Sequence, residues 1–244
     1  MTKDSAIDVQ GVSIAYDKKP AIIDVNLSVK SGEMFGLIGL NGAGKTTLIK
    51  ALLALRSPDK GTLRLFGKPV EHPEAKNRLA FLPERFEPSW FLSGLEFLKF
   101  SASLYGRTLE DRACYEGAER LALDSSALKR RVQTYSKGMR QKLGLLSTIM
   151  AGCDLLILDE PMSGLDPVAR ALVKELLIET QKKGCTIFLS SHILVDMDEI
   201  CDRVSVMHDH AIRFTGTPSA LKDTVSAQNL EKAFLHFIER KDVA

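Results

Sequence analysis

The sequence predicts an α/β fold: a parallel sheet with flanking helices, an antiparallel β subdomain at its N-terminal end and an inserted α-helical subdomain. Three observations lead there. β-branched residues alternate in "IDVQGVSIAY" and "IIDVNLSV", the pattern of antiparallel strands with one solvated face. Later, strand signals alternate with helical stretches, which implies parallel strands covered by helices. Between them, from about residue 92 to 150, the apolar period is helical throughout.

Taken in order, the two alternating strands are followed by "EMFGLIGL", a continuous apolar run that reads as a buried strand, and by the helix "KTTLIKALLAL". The helical block holds three candidates, "SGLEFLKFSASLYG", "EDRACYEGAERLAL" and "SKGMRQKLGLLSTIMA". Strands return in "DLLILDE", "CTIFLSS" and "RVSVMH", separated by "DPVARALVKELLIETQKKG" and "ILVDMDEIC" as helices. The tail "LKDTVSAQNLEKAFLHFIERKD" reads as two short helices. There is no internal repeat, low-complexity tract or long linker. The boundaries that follow are a main domain over 1–215, with the helical subdomain at about 85–150, and a short helical extension over 216–244.

Composition sets limits. With 244 residues, 45% hydrophobic and 26% charged, the chain has the balance of a globular protein able to bury a large core. A net charge of +2 points to no particular partner, and the densest basic run, "LKRRVQ" at 128–133, is too short for a nucleic-acid face. Cys114, Cys153, Cys185 and Cys201 are scattered, so neither a zinc cage nor a disulfide framework is expected and a reducing cytosol fits. The first residues, "MTKDSAIDVQ", carry charge where a signal peptide needs apolar side chains. No run approaches the roughly 20 apolar residues of a membrane helix.

The chemistry begins at "GLNGAGKTT", residues 39–47. Gly39, Gly44, Lys45 and Thr46 meet G-x-x-x-x-G-K-[ST], and the stretch lies between a buried strand and a helix. Glycines let successive N–H groups turn toward one anion, and the helix start adds its positive end. Lys45 brings a charge for the outer phosphates and Thr46 a hydroxyl for Mg²⁺. A second group closes the strand "LLILDEP" at 155–161, where Asp159 and Glu160 are adjacent. Neighbouring side chains on a strand face opposite ways, so the two acids are expected to divide the work. Asp159 would hold Mg²⁺ and Glu160 would orient or deprotonate an attacking water. "HDH" at 208–210 reads as a hairpin turn, since no other histidine or cysteine spacing supports a metal pair.

These residues resemble the ATP-binding subunit of ABC transporters, and the resemblance covers residues from about 7 to about 215. "GLNGAGKT" is similar to the family's Walker A, "LLILDEP" to its Walker B, and "SGLD" at 163–166 to its D-loop. "YSKGMRQKL" at 135–143 is similar to the ABC signature, and "LSSH" puts His192 at the switch histidine. The resemblance implies a P-loop NTPase core that binds ATP and Mg²⁺, with Asn41, Gly42, Ala43 and Thr47 joining the residues above around the phosphates and Tyr16 stacking on adenine. It also implies a dimer in which each ATP lies between the Walker A of one cassette and Ser136 and Gly138 of a second copy or paralogue. His192 and Glu160 would act with Lys45 in hydrolysis, and a separate transmembrane permease would hold the cassette at the inner face of the membrane. No nucleic acid is expected. A soluble ABC ATPase in iron–sulfur assembly or acting on nucleic acid is the alternative.

Two positions depart from the common pattern. The signature reads "YSKGM" where "LSGGQ" is usual, with Lys137 and Met139 as the changed residues. That form and the tail "NLEKAFLHF" are similar to the ABC-2 type exporter branch. In "FLPERF", Glu84 stands where a glutamine usually links Mg²⁺ to the membrane partner. Trp90 and Phe91 follow in the loop "EPSWFLSG"; core packing is the ordinary role of two such aromatics, but the resemblance implies a partner docked near Glu84, so part of this segment is expected to line that groove.

Overall fold

A computed structural model describes residues 5–239; the first four residues and the end of the expected C-terminal extension, 240–244, lie outside the described residues. Strands β1 (Ser5–Tyr16) and β2 (Lys19–Lys30) form an antiparallel hairpin. Strand β3 (Met34–Gly39) is buried at every residue, and helix α1 (Lys45–Leu52) follows it. Next come β4 (Lys60–Leu65), the two-residue β5 (Lys68–Pro69), the single turn α2 (Pro73–Lys76) and β6 (Leu79–Leu82). Helices α3 (Gly94–Ser103), α4 (Asp111–Arg120) and α5 (Lys137–Met150) fill the segment before β7 (Leu155–Asp159). Alternation then runs through α6 (Pro167–Lys182), β8 (Thr186–Ser191), α7 (Leu194–Ile200) and β9 (Arg203–His208). Strand β10 (Ala211–Gly216) and helices α8 (Pro218–Thr224) and α9 (Leu230–Glu239) complete the described chain.

The strands form two sheets, one of order β2-β1-β4-β5 and one of order β10-β9-β3-β8-β7-β6. In the second, β9, β3, β8, β7 and β6 are parallel and β10 adds an antiparallel edge. Strand β3 has β6, β7 and β8 on one side and β9 and β10 on the other, so the connection from β8 to β9 crosses it and the strand order reverses there. A crevice at the carboxyl ends of the strands belongs at such a switch point.

Period-2 alternation gives this sheet two cores. Met34, Ile38, Leu156, Leu158, Ile187 and Leu189 point into a core shared with the helices of the inserted block and α6, α7 and α9. Their neighbours Phe35, Leu37, Leu155, Ile157 and Phe188 point into the other core, with Leu48, Ile49 and Leu52 of α1 and the apolar face of the antiparallel sheet. Because both faces are covered, the central strands read as continuous apolar runs rather than alternating ones.

The helices begin where their residues allow. Ser93 and Glu96 form a reciprocal capping box on α3. Asp166 accepts the Ala169 N–H at 2.9 Å while Pro167 occupies the first turn of α6, a placement that suits proline's missing N–H. That hydrogen bond also holds the Asp166 carboxyl below its ordinary range. No helix among the described residues is long and apolar enough to cross a membrane.

Candidate functional site

A cavity of about 670 Å³ opens at the carboxyl ends of the parallel strands. Each segment that lines it leaves a strand there: Leu40–Thr47 after β3, Glu84 after β6, Asp159 and Glu160 at the end of β7, and His192 after β8. Its far wall is the turn between β1 and β2, with Tyr16, Asp17 and Ala21, and His210 from the turn before β10.

The glycines of the loop are there for different reasons. Gly42 and Gly44 have φ of 84° and 112°, values that L side chains rarely adopt. Gly44 occupies the N-cap of α1, where no side chain accepts the first-turn N–H groups, so they remain available to an anion. Gly39 is close-packed instead, for a Cβ there would lie 2.6 Å from the Met207 carbonyl oxygen. The Lys45 ammonium is folded onto the loop itself, donating to the carbonyls of Gly39 at 2.7 Å and Leu40 at 3.3 Å. Burial lowers its pKa, while the charges of Glu160, Asp159 and Glu84 oppose that shift.

The two acids do not follow the strand alternation expected for them. Strand β7 ends at Asp159, and Glu160 has φ of 51°, so the chain turns out of the strand and both side chains line the same cavity. Asp159 is only 4% exposed. Burial raises its pKa, against the Ser190 hydroxyl, which donates to Asp159 Oδ1 at 2.5 Å. The same Ser190 Oγ accepts the Glu160 N–H at 3.1 Å, and the Ser190 carbonyl accepts it at 3.2 Å. His192 Nδ1 lies 2.8 Å from Glu160 Oε2. The histidine does not cap the helix after it, since Ile193 is the N-cap of α7 and its N–H goes to Ser191 Oγ at 3.0 Å. Arg170 of α6 grips the buried Asp196 of α7 through two hydrogen bonds of 3.0 and 2.9 Å, which fixes the helix that His192 precedes.

The ABC transporter family matches residues 22–163 of this sequence. The chain belongs to that family. It is similar to an uncharacterized ABC transporter ATP-binding protein of Synechocystis sp., 38% identical over 78% of this chain and 54% of the relative. It is also similar to a fluoroquinolones export ATP-binding protein of Mycobacterium tuberculosis, 37% identical over 88% of this chain and 72% of the relative. The chain thus spans about half the length of the first of these relatives. A solved structure of the ATP binding subunit of an ABC transporter superposes with a TM-score of 0.83 at 30% identity, covering 95% of this chain and 99% of that one.

Most of the residues expected at the site of this ABC family member meet at the cavity: Tyr16, Asn41, Gly42, Gly44, Lys45, Thr46, Thr47, Glu84, Asp159, Glu160 and His192. Gly39 and Ala43 stand behind the loop, and Ser136 and Gly138 are not among the lining residues. Ser136 instead caps α5, its hydroxyl accepting the Met139 N–H at 3.2 Å. Gly138 faces Leu165, with 3.8 Å available to a Cβ, and the Lys137 stem lies over Gly164, so the signature packs on the "SGLD" loop. Reasoning from sequence missed His210, whose ring Nδ1 lies 3.1 Å from the Ala21 carbonyl oxygen. "HDH" does form a hairpin turn, with Asp209 and His210 at positive φ, and that turn carries His210 to the cavity wall.

Glu84 also lines a second cavity, of about 530 Å³, with Arg85, Phe86, Trp90, Lys137 and Arg140. Phe86 positions this groove by packing edge-on against Phe97 of α3, at 5.6 Å between centroids, and against Gly144 of α5, where any Cβ would meet its ring at 2.6 Å. Trp90 and Phe91, on the loop beside it, are 58% and 82% exposed.

Proposed function

We propose that this chain is an ATP-hydrolysing nucleotide-binding subunit that dimerises on ATP and drives export through a separate transmembrane permease. One observation carries the proposal: the loop lysine, the loop threonine, two acids and a histidine, distant in sequence, line one cavity at the strand ends. In this reading Tyr16 stacks on adenine, and the N–H groups of residues 42–47 surround the phosphates. Lys45 leaves the Gly39 and Leu40 carbonyls for the outer phosphates.

The oxygen donors Thr46, Asp159 and Glu84 suit Mg²⁺, which takes one or two carboxylates and completes its shell with phosphate and water. Bound Mg²⁺ would neutralise charge developing on the transferred phosphoryl group. Glu160 accepts a proton from the water that attacks the γ-phosphorus, the bond to the bridging oxygen breaks, and ADP leaves. His192, at 2.8 Å, holds the Glu160 carboxylate in place for that transfer. Ser136 and Gly138 act from a second copy or paralogue, placing the start of α5 on the γ-phosphate with the same helix-terminus physics as the loop.

The groove shared by Glu84 and Trp90 is the seat of the permease, which keeps the cassette peripheral at the cytoplasmic face of the membrane. Export, rather than import or the soluble alternative, is supported by the name of the mycobacterial relative and by the "YSKGM" signature.

Glu160→Gln is the test. Loss of a positioned general base costs about 10²–10⁴-fold in rate, so steady-state hydrolysis falls by that order while MgATP binding persists. Light scattering with MgATP then shows a dimer. A variant that hydrolyses at the parent rate and stays monomeric beside its permease would overturn the proposal.

A further inference from the structure

We infer that Arg56 is a positioning residue for the nucleotide base, acting through Tyr16; the inference rests on the proposed stacking of adenine on that ring. Residue Tyr16 is the last of β1, and the two-residue turn after it, Asp17 and Lys18, has φ of 48° and 66°. Two non-glycine residues at positive φ make a hairpin turn of the type that asparagine and glycine ordinarily supply. Such a turn persists only where its surroundings over-determine it.

Arg56 supplies the surroundings. Its Nη2 donates to the Ala15 carbonyl at 3.1 Å and to Asp59 Oδ1 at 3.0 Å, while Asp59 Oδ2 accepts the Ala15 N–H at 2.7 Å. The Asp59 N–H closes the set on the Ser13 carbonyl at 2.9 Å. Both backbone groups of the residue before Tyr16 are thereby held by one ion pair.

The guanidinium carbon also lies 5.6 Å from the Tyr16 ring centroid, within cation–π reach. Tyr16 lines the nucleotide cavity and Arg56 does not, so in this proposal the cation takes the ring face opposite the base. There it draws ring density toward itself and lowers π-cloud repulsion against a purine on the opposite side. The Nε of Arg56 is buried without a hydrogen-bond partner, while its Nη2 carries the contacts to Ala15 and Asp59. Its placement serves the end of β1 and the ring.

The prediction separates base from phosphate. Titration calorimetry compares MgADP, which carries adenine, with magnesium pyrophosphate, which does not. Arg56→Gln is expected to weaken MgADP about three- to fivefold, the size of an exposed cation–π contact, and to leave pyrophosphate unchanged. In a Tyr16→Ala background the same substitution should weaken MgADP no further. Equal loss of both ligands, or unchanged MgADP affinity where Tyr16→Ala weakens it, overturns the role given to Arg56. Should Tyr16→Ala leave MgADP affinity unchanged, the stacking assignment itself falls. If Arg56→Gln does not fold, Arg56→Lys carries the comparison, since one ammonium cannot reproduce the planar grip on Ala15 and Asp59; it too should weaken MgADP alone, and an unchanged MgADP affinity overturns the role.

Discussion

Replacing Gly42 and Gly44 by alanine, one at a time, separates backbone strain from steric exclusion in the phosphate loop. Each has positive φ, 84° and 112°, and a Cβ in that region costs about 1–2 kcal/mol. Only Gly44 is also enclosed. Its Cβ would lie 2.5 Å from the Ala21 carbonyl oxygen and 2.7 Å from Ile22 Cγ2, whereas nothing lies within 4 Å of one on Gly42. Ala21 belongs to a strand paired on β1 and cannot withdraw cheaply, so overpacking adds about 1–3 kcal/mol. Gly42→Ala should therefore cost about 1–2 kcal/mol and Gly44→Ala about 2–5 kcal/mol. For a chain of this size each kcal/mol lowers Tm by about 2–4 °C. Calorimetric melting without nucleotide should show a shift of roughly 4 °C for Gly42→Ala and roughly 10 °C for Gly44→Ala. Equal shifts, or a larger one at Gly42, would refute the assignment of steric exclusion to Gly44.

Burial raises the Asp159 pKa above its ordinary 3.8. The folded chain therefore keeps this proton to higher pH than the unfolded chain, and the site's contribution to stability falls as pH rises from 3.8 through the raised value. Asp159→Asn is expected to be more stable than the parent at pH 8, by a margin that shrinks toward pH 4.5 in denaturant titrations, and to lose Mg²⁺-dependent hydrolysis; a variant less stable than the parent at pH 8 would contradict this. Glu84→Gln removes one of the charges that raise the Asp159 pKa and is expected to retain hydrolysis, whereas complete loss in a steady-state assay would give the carboxylate an essential role. Trp90→Ala, at a side chain 58% exposed, should change stability by no more than about 0.5 kcal/mol yet lower recovery with permease-containing membranes, and unchanged recovery would remove Trp90 from the docking surface.

What the sequence disclosed follows from how strongly each element is encoded. The buried strands were legible because a two-sided core demands an unbroken apolar run, and the phosphate loop because its chemistry constrains residue type and spacing together. Short elements were not. "LAFL" forms β6 and Glu84 depends on it, but four apolar residues do not distinguish a strand from a buried turn. Strand β4 was missed although Leu63 and Leu65 alternate with Thr62 and Arg64, because so brief an alternation is settled by the neighbouring β1 rather than by its own residues. His210 was read only as part of a turn. Its approach to the cavity depends on that turn meeting β2, where the His210 carbonyl accepts the Ile23 N–H and its ring lies against the Ala21 carbonyl, a long-range fact that local sequence does not hold.

The acids show most clearly where local reasoning stops and the site begins. Strand alternation would have sent Asp159 and Glu160 to opposite faces of the sheet, separating metal binding from water activation. The positive φ of Glu160 cancels the alternation, at a backbone cost of order 1–3 kcal/mol. Three hydrogen bonds hold the departure: the Glu160 N–H on the carbonyl and hydroxyl of Ser190, and the carboxylate on His192. Ser190 reaches both acids at once, for its hydroxyl also meets Asp159. Because Ser190 lies in β8 and His192 directly follows that strand, β8 sets the spacing between the acid proposed for Mg²⁺ and the acid proposed for water. A displacement of β8 would move both together, which couples the two roles through the central sheet rather than through the loops around it.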